Sequence, residues 1–262
     1  MNVNNPQGDL VKPFLSVVVP AYNEERRLAR TLLDITSYVD SKGYSAEIVV
    51  VDDGSEDGTA KLAEEISAAN PIVRLVRNEH RGKAFTVRTG MLSATGQYVL
   101  FTDADGATPI TELDKFLPYL QGEFDLAVGS REGLGAARHA EPPHRHLMGR
   151  VFNLIVRIVA LPGINDTQCG FKAFKHHAAQ DLFGHMQLYD SHSVTIRGAM
   201  LTGFDVEILF LARKWGYRII EVPVNWYYGT HSKVNPLRDS WRNLRDVLRV
   251  RWNDLRGRYR RS

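Results

Sequence analysis

Five short apolar runs, separated by four stretches of helix length, constrain this chain more than any other feature. The runs are "FLSVVVP" (14–20), "AEIVVVDDGS" (46–55), "IVRLV" (72–76), "QYVLFTD" (97–103) and "FDLAVGS" (124–130). Runs rich in β-branched residues, without apolar–polar alternation, are strands buried on both faces, as in parallel sheets. Between them, Glu24 to Tyr38 places Leu28, Leu32, Ile35 and Val39 on one helical face. Residues 56–70 do the same with Leu62, Ala63 and Ile66, and Gly82 to Ala94 and Ile110 to Leu120 supply two more helices. The expected fold is α/β, a doubly wound, mostly parallel sheet with helices on both faces. Ligands in such sheets sit beyond the carboxyl ends of the strands. Those ends carry Pro20-Ala21-Tyr22-Asn23-Glu24, Asp52-Asp53-Gly54-Ser55, Asp103-Ala104-Asp105 and Gly129-Ser130-Arg131, so acidic and polar chemistry gathers on one edge.

After residue 131 the rhythm changes. Gly133 to Pro143 reads as a loop, and Leu147 to Leu161 as a helix. That helix is expected to carry Leu147, Val151, Ile155 and Ile158 on one face and Arg150, Asn153 and Arg157 on another. "DTQCGFKAFKH" has a strand-like centre, "GFDVEILFLARKWG" is helical, and "YRIIEVPVNW" is a strand interrupted by Pro223. The expected organisation is a loose lead-in over 1–13, one domain over 14–235 and a basic amphipathic helix over 236–262.

Charge is unevenly distributed. From Arg238 to Ser262 nine Arg stand against three Asp, a balance of +6, which leaves −3 on the rest of a chain whose total is +3. Trp241, Leu244, Leu248, Trp252 and Leu255 recur there at steps of three and four, the pattern of a helix lying in a membrane interface. A helix packed on the domain with a solvated basic face would read the same way. No run approaches the roughly 20 apolar residues of a membrane span, and the single cysteine, Cys169, excludes an internal disulfide. The expected location is cytoplasmic, with peripheral contact at the membrane through 238–262.

"LFTDADGATP" raises the chemical question, because two carboxylates roughly 6 Å apart repel by about 3 kcal/mol at an effective dielectric near 20. A shared cation compensates that repulsion. Oxygen ligands at an open strand end favour Mg²⁺ or Mn²⁺ bridged to a substrate phosphate. Asp103 and Asp105 are therefore the metal-ligand candidates; the competing reading is a turn in which they cap backbone N–H groups. His144, His146 and the His176-His177 pair lack a third convergent ligand type and read as surface or loop histidines.

"SVVVPAYNEERRL", "EIVVVDDGSEDGT", "NEHRGKAF" and "YVLFTDADGATP", in this order, resemble the family 2 inverting glycosyltransferases of the GT-A fold. "AVGSRE", "HRHLMGRVFN", "DTQCGFKAF" and "VPVNWYYGTHSKV" narrow the resemblance to the polyprenyl-phosphate (dolichyl-phosphate) glycosyltransferases, especially the glucosyl branch. The resemblance implies that Pro20, Tyr22 and Glu24 hold the nucleotide, that Asp52 or Asp53 meets a base N–H, and that Lys83 approaches the nucleotide. It also implies that Asp103 and Asp105 bind the metal–diphosphate and that Arg131, Arg145 and Lys233 handle phosphate. Asp166 is a candidate base for a hydroxyl acceptor and an orienting residue for a lipid phosphate, which is already anionic. Glu207 can face the site or cap its helix.

The expected activity is metal-dependent, inverting transfer of one hexose from a nucleotide-sugar donor to polyprenyl or dolichyl phosphate. UDP-glucose is favoured over GDP-mannose because Ala107 stands where mannosyl relatives show Gln. The alternative is transfer to a soluble hydroxyl acceptor, such as a glycan or small metabolite, with UDP-GlcNAc as a further donor. Leu248 stands where the Q-x-x-R-W motif of processive synthases has Gln, which disfavours polymer synthesis. A nucleic-acid-binding module rests only on the Arg tail, and none is expected.

Overall fold

The protein is described from a computed structural model covering residues 12–140, 142–189, 203–228 and 236–261. The lead-in before Lys12, and Lys233, lie outside the described residues. In chain order the elements are β1 (Leu15–Ala21), α1 (Leu28–Lys42), β2 (Ala46–Asp52), α2 (Thr59–Ala69), β3 (Val73–Arg77), α3 (Lys83–Ser93) and β4 (Tyr98–Thr102). A 3₁₀ turn (Ile110–Lys115), α4 (Leu117–Gln121), β5 (Leu126–Ser130), β6 (Ala137–His139), α5 (Pro143–Val159), β7 (Phe171–Lys175) and α6 (His176–Gly184) follow. The last are α7 (Phe204–Lys214), β8 (Ile219–Pro223), β9 (Asn225–Tyr227) and α8 (Pro236–Leu255).

Seven strands form one sheet in the order β3-β2-β1-β4-β7-β5-β8. All neighbours are parallel except β7, which runs antiparallel to both β4 and β5. Reversal of β7 brings its first residues to the edge where the parallel strands end: Phe171 faces Thr102, and Lys172 faces Phe101. Pro20 is tolerated in central β1 because pairing with β4 stops at Val18, where no ladder hydrogen bond needs its missing donor. A second, two-stranded sheet pairs β6 with β9.

Helices cover both faces. Leu28, Leu32, Ile35 and Val39 of α1, with Ala63 of α2 and Leu113, Leu117 and Leu120, bury one side. The other side is packed by α3, α5, α6, α7 and α8, through residues including Val87, Val156, Leu182, Leu209 and Val247. Helix α3 lies so close to the sheet that a Cβ on Gly90 would come within 2.3 Å of Val18 Cγ1 and 2.9 Å of Val51 Cγ2.

Two expectations need correction. Helix α5 starts at Pro143, a turn before Leu147, since a proline in a first turn has no hydrogen bond to lose; the stretch before it includes the short strand β6. The inward face of α5 is Phe152, Asn153 and Val156, whereas Val151, Leu154 and Ile158 are each more than half exposed. Helix α8 behaves alike. It packs on the domain through Asn243, Asp246, Val247, Val250 and Asn253, and leaves Leu248, Trp252 and Leu255 more than half exposed. Polar residues there are partly satisfied: Asp246 Oδ2 accepts from Tyr189 Oη at 2.6 Å and from the Gly203 N–H at 3.1 Å, whereas Asp246 Oδ1 and Asn243 Oδ1 have no hydrogen-bond partner among the described residues.

Glu207, on α7, is fully buried behind this helix. It accepts from the Gln187 and Leu188 N–H groups and from Tyr259 Oη, at 2.7, 3.1 and 2.7 Å, so it ties the chain's end to the core. Burial raises its pKa to about 7, with a smaller push from Asp246, against these three donors.

Gly90→Ala should destabilise the protein by about 1–3 kcal/mol through overpacking, outweighing the roughly 1 kcal/mol helix-propensity gain; urea unfolding reads the difference. Because the folded protein holds the Glu207 proton more tightly than the unfolded chain, Glu207 contributes stability below the ordinary carboxylate pKa. That contribution is lost as pH rises through about 7. Glu207→Gln should remove this slope, on the order of 3 kcal/mol across the window, in urea titrations from pH 4.5 to 8.

Candidate active site

Four strand ends build the site. At the end of β1, the Tyr22 ring stacks on His80, centroids 4.0 Å apart and planes within 4°. His80 is fixed in turn by Asp53, whose Oδ2 lies 2.7 Å from its Nδ1. Asp53 also accepts from the N–H groups of Arg81 (3.0 Å) and Gly82 (2.8 Å), so this buried carboxylate organises the loop that delivers Lys83. Asp52 is buried beside it and differs. Its Oδ2 accepts from the Ser55 N–H at 3.2 Å, while Oδ1 has no hydrogen-bond partner. A buried acceptor left open is costly unless a ligand donor meets it. Glu24 receives the Arg27 guanidinium through two hydrogen bonds of 2.8 Å.

The acidic pair sits past the end of β4, in a turn and not on the strand. Alternation along a strand therefore does not align the two side chains; the turn does. Thr31 Oγ1 pins it by donating to Ala104 O at 2.8 Å, and Asp105 Oδ1 accepts from the Ala107 N–H at 3.0 Å. Cations surround the carboxylates. Lys83 Nζ, from the first turn of α3, lies 2.5 Å from Asp103 Oδ1, and Arg27 Nη1 lies 4.0 Å from Asp105 Oδ2. Burial and then the neighbouring Asp103 raise the Asp105 pKa. Burial alone would lower that of Lys83, but Asp103, Asp205 and Asp105 outweigh it and raise it.

Sequence reasoning passed over the layer beneath. Lys172, on β7, is buried, and donates to Cys169 O at 2.6 Å and to Asp205 Oδ1 at 2.5 Å. Asp205 comes from the first turn of α7. Gly170 lies against the acidic turn, where a Cβ would fall 2.0 Å from Asp103 Oδ2. The available signals were the charged residue inside the apolar "CGFKAF" run and the acid opening "FDVEILF". Glu207, two residues after Asp205, serves the C-terminal anchor described above and not this cluster.

Beyond β5, Arg131 and Asp166 form a closed pair. Nε and Nη2 of Arg131 reach the two carboxylate oxygens at 2.7 and 2.9 Å, and the Arg131 N–H adds a third bond at 3.0 Å. Asp166 is wholly buried, yet Arg131 holds its carboxyl well below the usual carboxylate range. The flanking residues Glu132 and Asn165 line a cavity of about 260 Å³ that α5 completes with Arg150, Arg157, Val151 and Leu154. Burial raises the Cys169 thiol to about 11, so it stays protonated. Arg145 lies in the first turn of α5, its side chain outside the described residues. Lys233 is also outside them; the chain passes the acidic turn at Tyr227, whose N–H donates to Ala107 O at 2.8 Å.

A divalent ion fits the turn. An ammonium already occupies the Asp103 side of the pair, two carboxylates leave positions for phosphate oxygens and water, and the absence of a side chain at Gly170 makes room for the Asp103 carboxylate. Asp103 and Asp105 would hold the ion. Among the described residues there is no cluster of three or more His, Cys, Asp or Glu able to form a closed cage.

Comparison with known proteins bears on the family and the fold. The glycosyl transferase family 2 model matches residues 16–183. A dolichyl-phosphate beta-glucosyltransferase of Dictyostelium discoideum is 34% identical over 258 residues, 93% of this chain and 76% of that protein. Its Homo sapiens counterpart is 36% identical over 264 residues, covering 94% and 77%. Among solved structures, glucosyl-3-phosphoglycerate synthase from Mycobacterium tuberculosis in complex with uridine-diphosphate matches with a TM-score of 0.60 at 22% identity, covering 94% of this chain and 80% of that one. A mannosyltransferase from Pyrobaculum calidifontis, in complex with GDP-Man and Mn²⁺, matches at 0.58 and 23%, covering 94% and 65%. At those identities the structural likeness concerns the fold. The chain belongs to glycosyl transferase family 2 and is a glycosyltransferase of the GT-A fold.

Proposed function

We propose that this glycosyltransferase transfers one glucose from UDP-glucose, with inversion, to the phosphate of dolichol or a related polyprenol. The observation that carries the acceptor is the Arg131–Asp166 pair. Asp166 is committed to a guanidinium through three hydrogen bonds, which suits it to orient Arg131 and not to deprotonate a hydroxyl. A phosphate monoester needs no base near neutral pH, and the guanidinium that Asp166 holds in place is a fixed positive charge beside which an acceptor phosphate is favoured. The names of the two glucosyltransferase relatives support the same acceptor and sugar.

On this reading Asp52 Oδ1 accepts the N–H of the base, and the Tyr22–His80 stack offers an aromatic face to it. Glu24 and Pro20 border the ribose, and Lys83 meets the diphosphate. A divalent ion at Asp103 and Asp105, Mg²⁺ or Mn²⁺, supplies charge neutralisation to the leaving diphosphate when bound. The acceptor oxygen attacks C1 opposite that diphosphate through an oxocarbenium-like transition state. Arg131 and Arg145 position the acceptor phosphate, and Lys233 stabilises developing negative charge.

The α5–α8 surface supports peripheral membrane contact. Six large apolar side chains, Val151, Leu154 and Ile158 from α5 and Leu248, Trp252 and Leu255 from α8, are exposed among arginines. No helix among the described residues is long and apolar enough to cross a membrane.

Transfer assays pairing sugar nucleotides with dolichyl phosphate test the reaction. UDP-glucose should exceed GDP-mannose by at least about tenfold in kcat/KM, chelation should abolish turnover, and Asp105→Asn should cost about a hundredfold or more. Efficient transfer to a soluble hydroxyl acceptor, with none to the lipid phosphate, would replace this reading. The protein should also float with anionic vesicles at low salt. Trp252→Ser with Leu255→Ser, two exposed positions, should reduce flotation without changing urea stability.

A further inference from the structure

Strand β9 is three residues long, and each residue is attached to a different part of the protein. The buried carboxylate of Glu112 accepts from the Asn225 N–H at 3.2 Å and from its Nδ2 at 2.8 Å. The Trp226 ring lies against the Arg131 guanidinium, with Cζ 5.3 Å from the ring centre. The Tyr227 N–H donates to Ala107 O at 2.8 Å, and the Ala107 N–H in turn donates to Asp105 Oδ1 at 3.0 Å. One short strand therefore ties the core to the acidic turn, with Trp226 between the two attachments.

Asp166 holds Arg131 by its edge. Two parallel hydrogen bonds fix where the guanidinium sits but leave it able to rock about the line that joins them. A ring against the guanidinium face removes that freedom, and the quadrupole of an indole attracts a cation within about 6 Å of its centre. Trp226 is itself steadied. Its ring centre lies 5.9 Å from that of Tyr228, and Arg138 stands opposite it in the β6–β9 ladder. Arg138 Nε donates to Arg131 O at 3.0 Å and its Nη2 to Glu132 Oε1 at 2.7 Å, so the ladder that carries the ring also grips the Arg131 main chain.

We infer that Trp226 is a positioning residue for the acceptor: it holds the face of the Arg131 guanidinium and, through β9, fixes that cation relative to the acidic turn where the donor diphosphate lies. The transferred sugar has to bridge those two phosphate positions. A rigid link between them therefore sets how closely the acceptor oxygen approaches C1. Loss of the ring loosens the acceptor phosphate and leaves the nucleotide, which meets Tyr22, Asp52 and Lys83, as before. This inference rests on the lipid-phosphate acceptor proposed above.

The test sets acceptor kinetics against donor binding on the full chain. Glucose transfer from UDP-glucose is followed as dolichyl phosphate is varied, and UDP affinity is measured in parallel by calorimetry with Mn²⁺ present. Trp226→Leu, which keeps an apolar side chain but no aromatic face, should lower kcat/KM for dolichyl phosphate about tenfold, the scale of a partly desolvated cation–π contact. The Kd for UDP should move by less than about twofold, because no nucleotide contact changes. Trp226→Phe restores an aromatic face and should recover kcat/KM to within about threefold of wild type. Trp226→Thr, suited to a strand, should match Trp226→Leu and replaces it if that variant does not fold. An unchanged kcat/KM in the non-aromatic variants, a Trp226→Phe variant no better than they are, or an equal loss of UDP binding would overturn the inference while leaving the acceptor reading standing. Wild-type protein that binds UDP yet transfers nothing to dolichyl phosphate would overturn both.

Discussion

The ion pair between Lys83 and Asp103 is the interaction on which the site's geometry turns. Asp103 and Asp105 flank the turn beyond β4, with the buried Asp205 in the layer beneath paired to Lys172, and repulsion between carboxylates grows as water is excluded. Two lysines from different elements make the cluster tenable. Each reaches it through a distinct feature of the fold. Lys83 arrives because α3 is pressed onto β1 and β2 at Gly90, with its first turn aimed at the end of β4. Lys172 arrives because β7 runs against its neighbours, so that its beginning meets the end of β4. A parallel strand in that slot would carry its first residues to the opposite edge.

The same logic operates one strand over. Asp166 is wholly buried, and an isolated carboxylate there would be neutral. Arg131 keeps it ionised, and the bidentate contact in return fixes the guanidinium plane with the Trp226 ring at 5.3 Å. The site thus holds two kinds of acid. Asp103 and Asp105 are partly exposed and face cations, Lys83 and Arg27, whereas Asp166 and Asp53 are buried and spent on organising their neighbours. This division argues against general-base chemistry at Asp166.

Much of the architecture was legible because buried parallel strands read as unbroken apolar runs. "SVVV", "IVVV" and "YVLF" allow little else, and the acids that follow them mark the site edge. The direction of β7 was not legible, since "FKAF" is compatible with either orientation and only the pairing partners decide. Lys172 and Asp205 escaped notice for a related reason. They lie 33 residues apart, each in a segment that reads as core, and a buried ion pair leaves no periodic trace. The partner of Tyr22 was hidden likewise: His80 lies far along the chain from the ring it stacks on, brought there by the turn that Asp53 closes.

Helices α5 and α8 are more instructive. Both carry apolar residues on more than one face: in α5 the stripe containing Val151 and Ile158 turned out to face solvent, and for α8 the sequence left open an interface-facing or a packed helix. What faces inward includes Asn153, Asn243, Asp246 and Asn253, while Val151, Leu154, Ile158, Leu248, Trp252 and Leu255 face out. Burying a polar residue in preference to an available leucine is unfavourable in water unless its hydrogen bonds are met and the exposed apolar side chains gain a partner. The first condition is met at Asp246 Oδ2 by Tyr189 and Gly203, and left unmet at Asp246 Oδ1 and Asn243 Oδ1. The second is met, on the proposed reading, by the bilayer that would present the acceptor phosphate. The arginines between the exposed side chains would then sit at anionic headgroups, and the cavity beside Arg131 and Asp166 would open toward the lipid. On the proposed reading the exposed apolar side chains of these two helices would serve the bilayer, while Phe152, Val156, Val247 and Val250 serve the core.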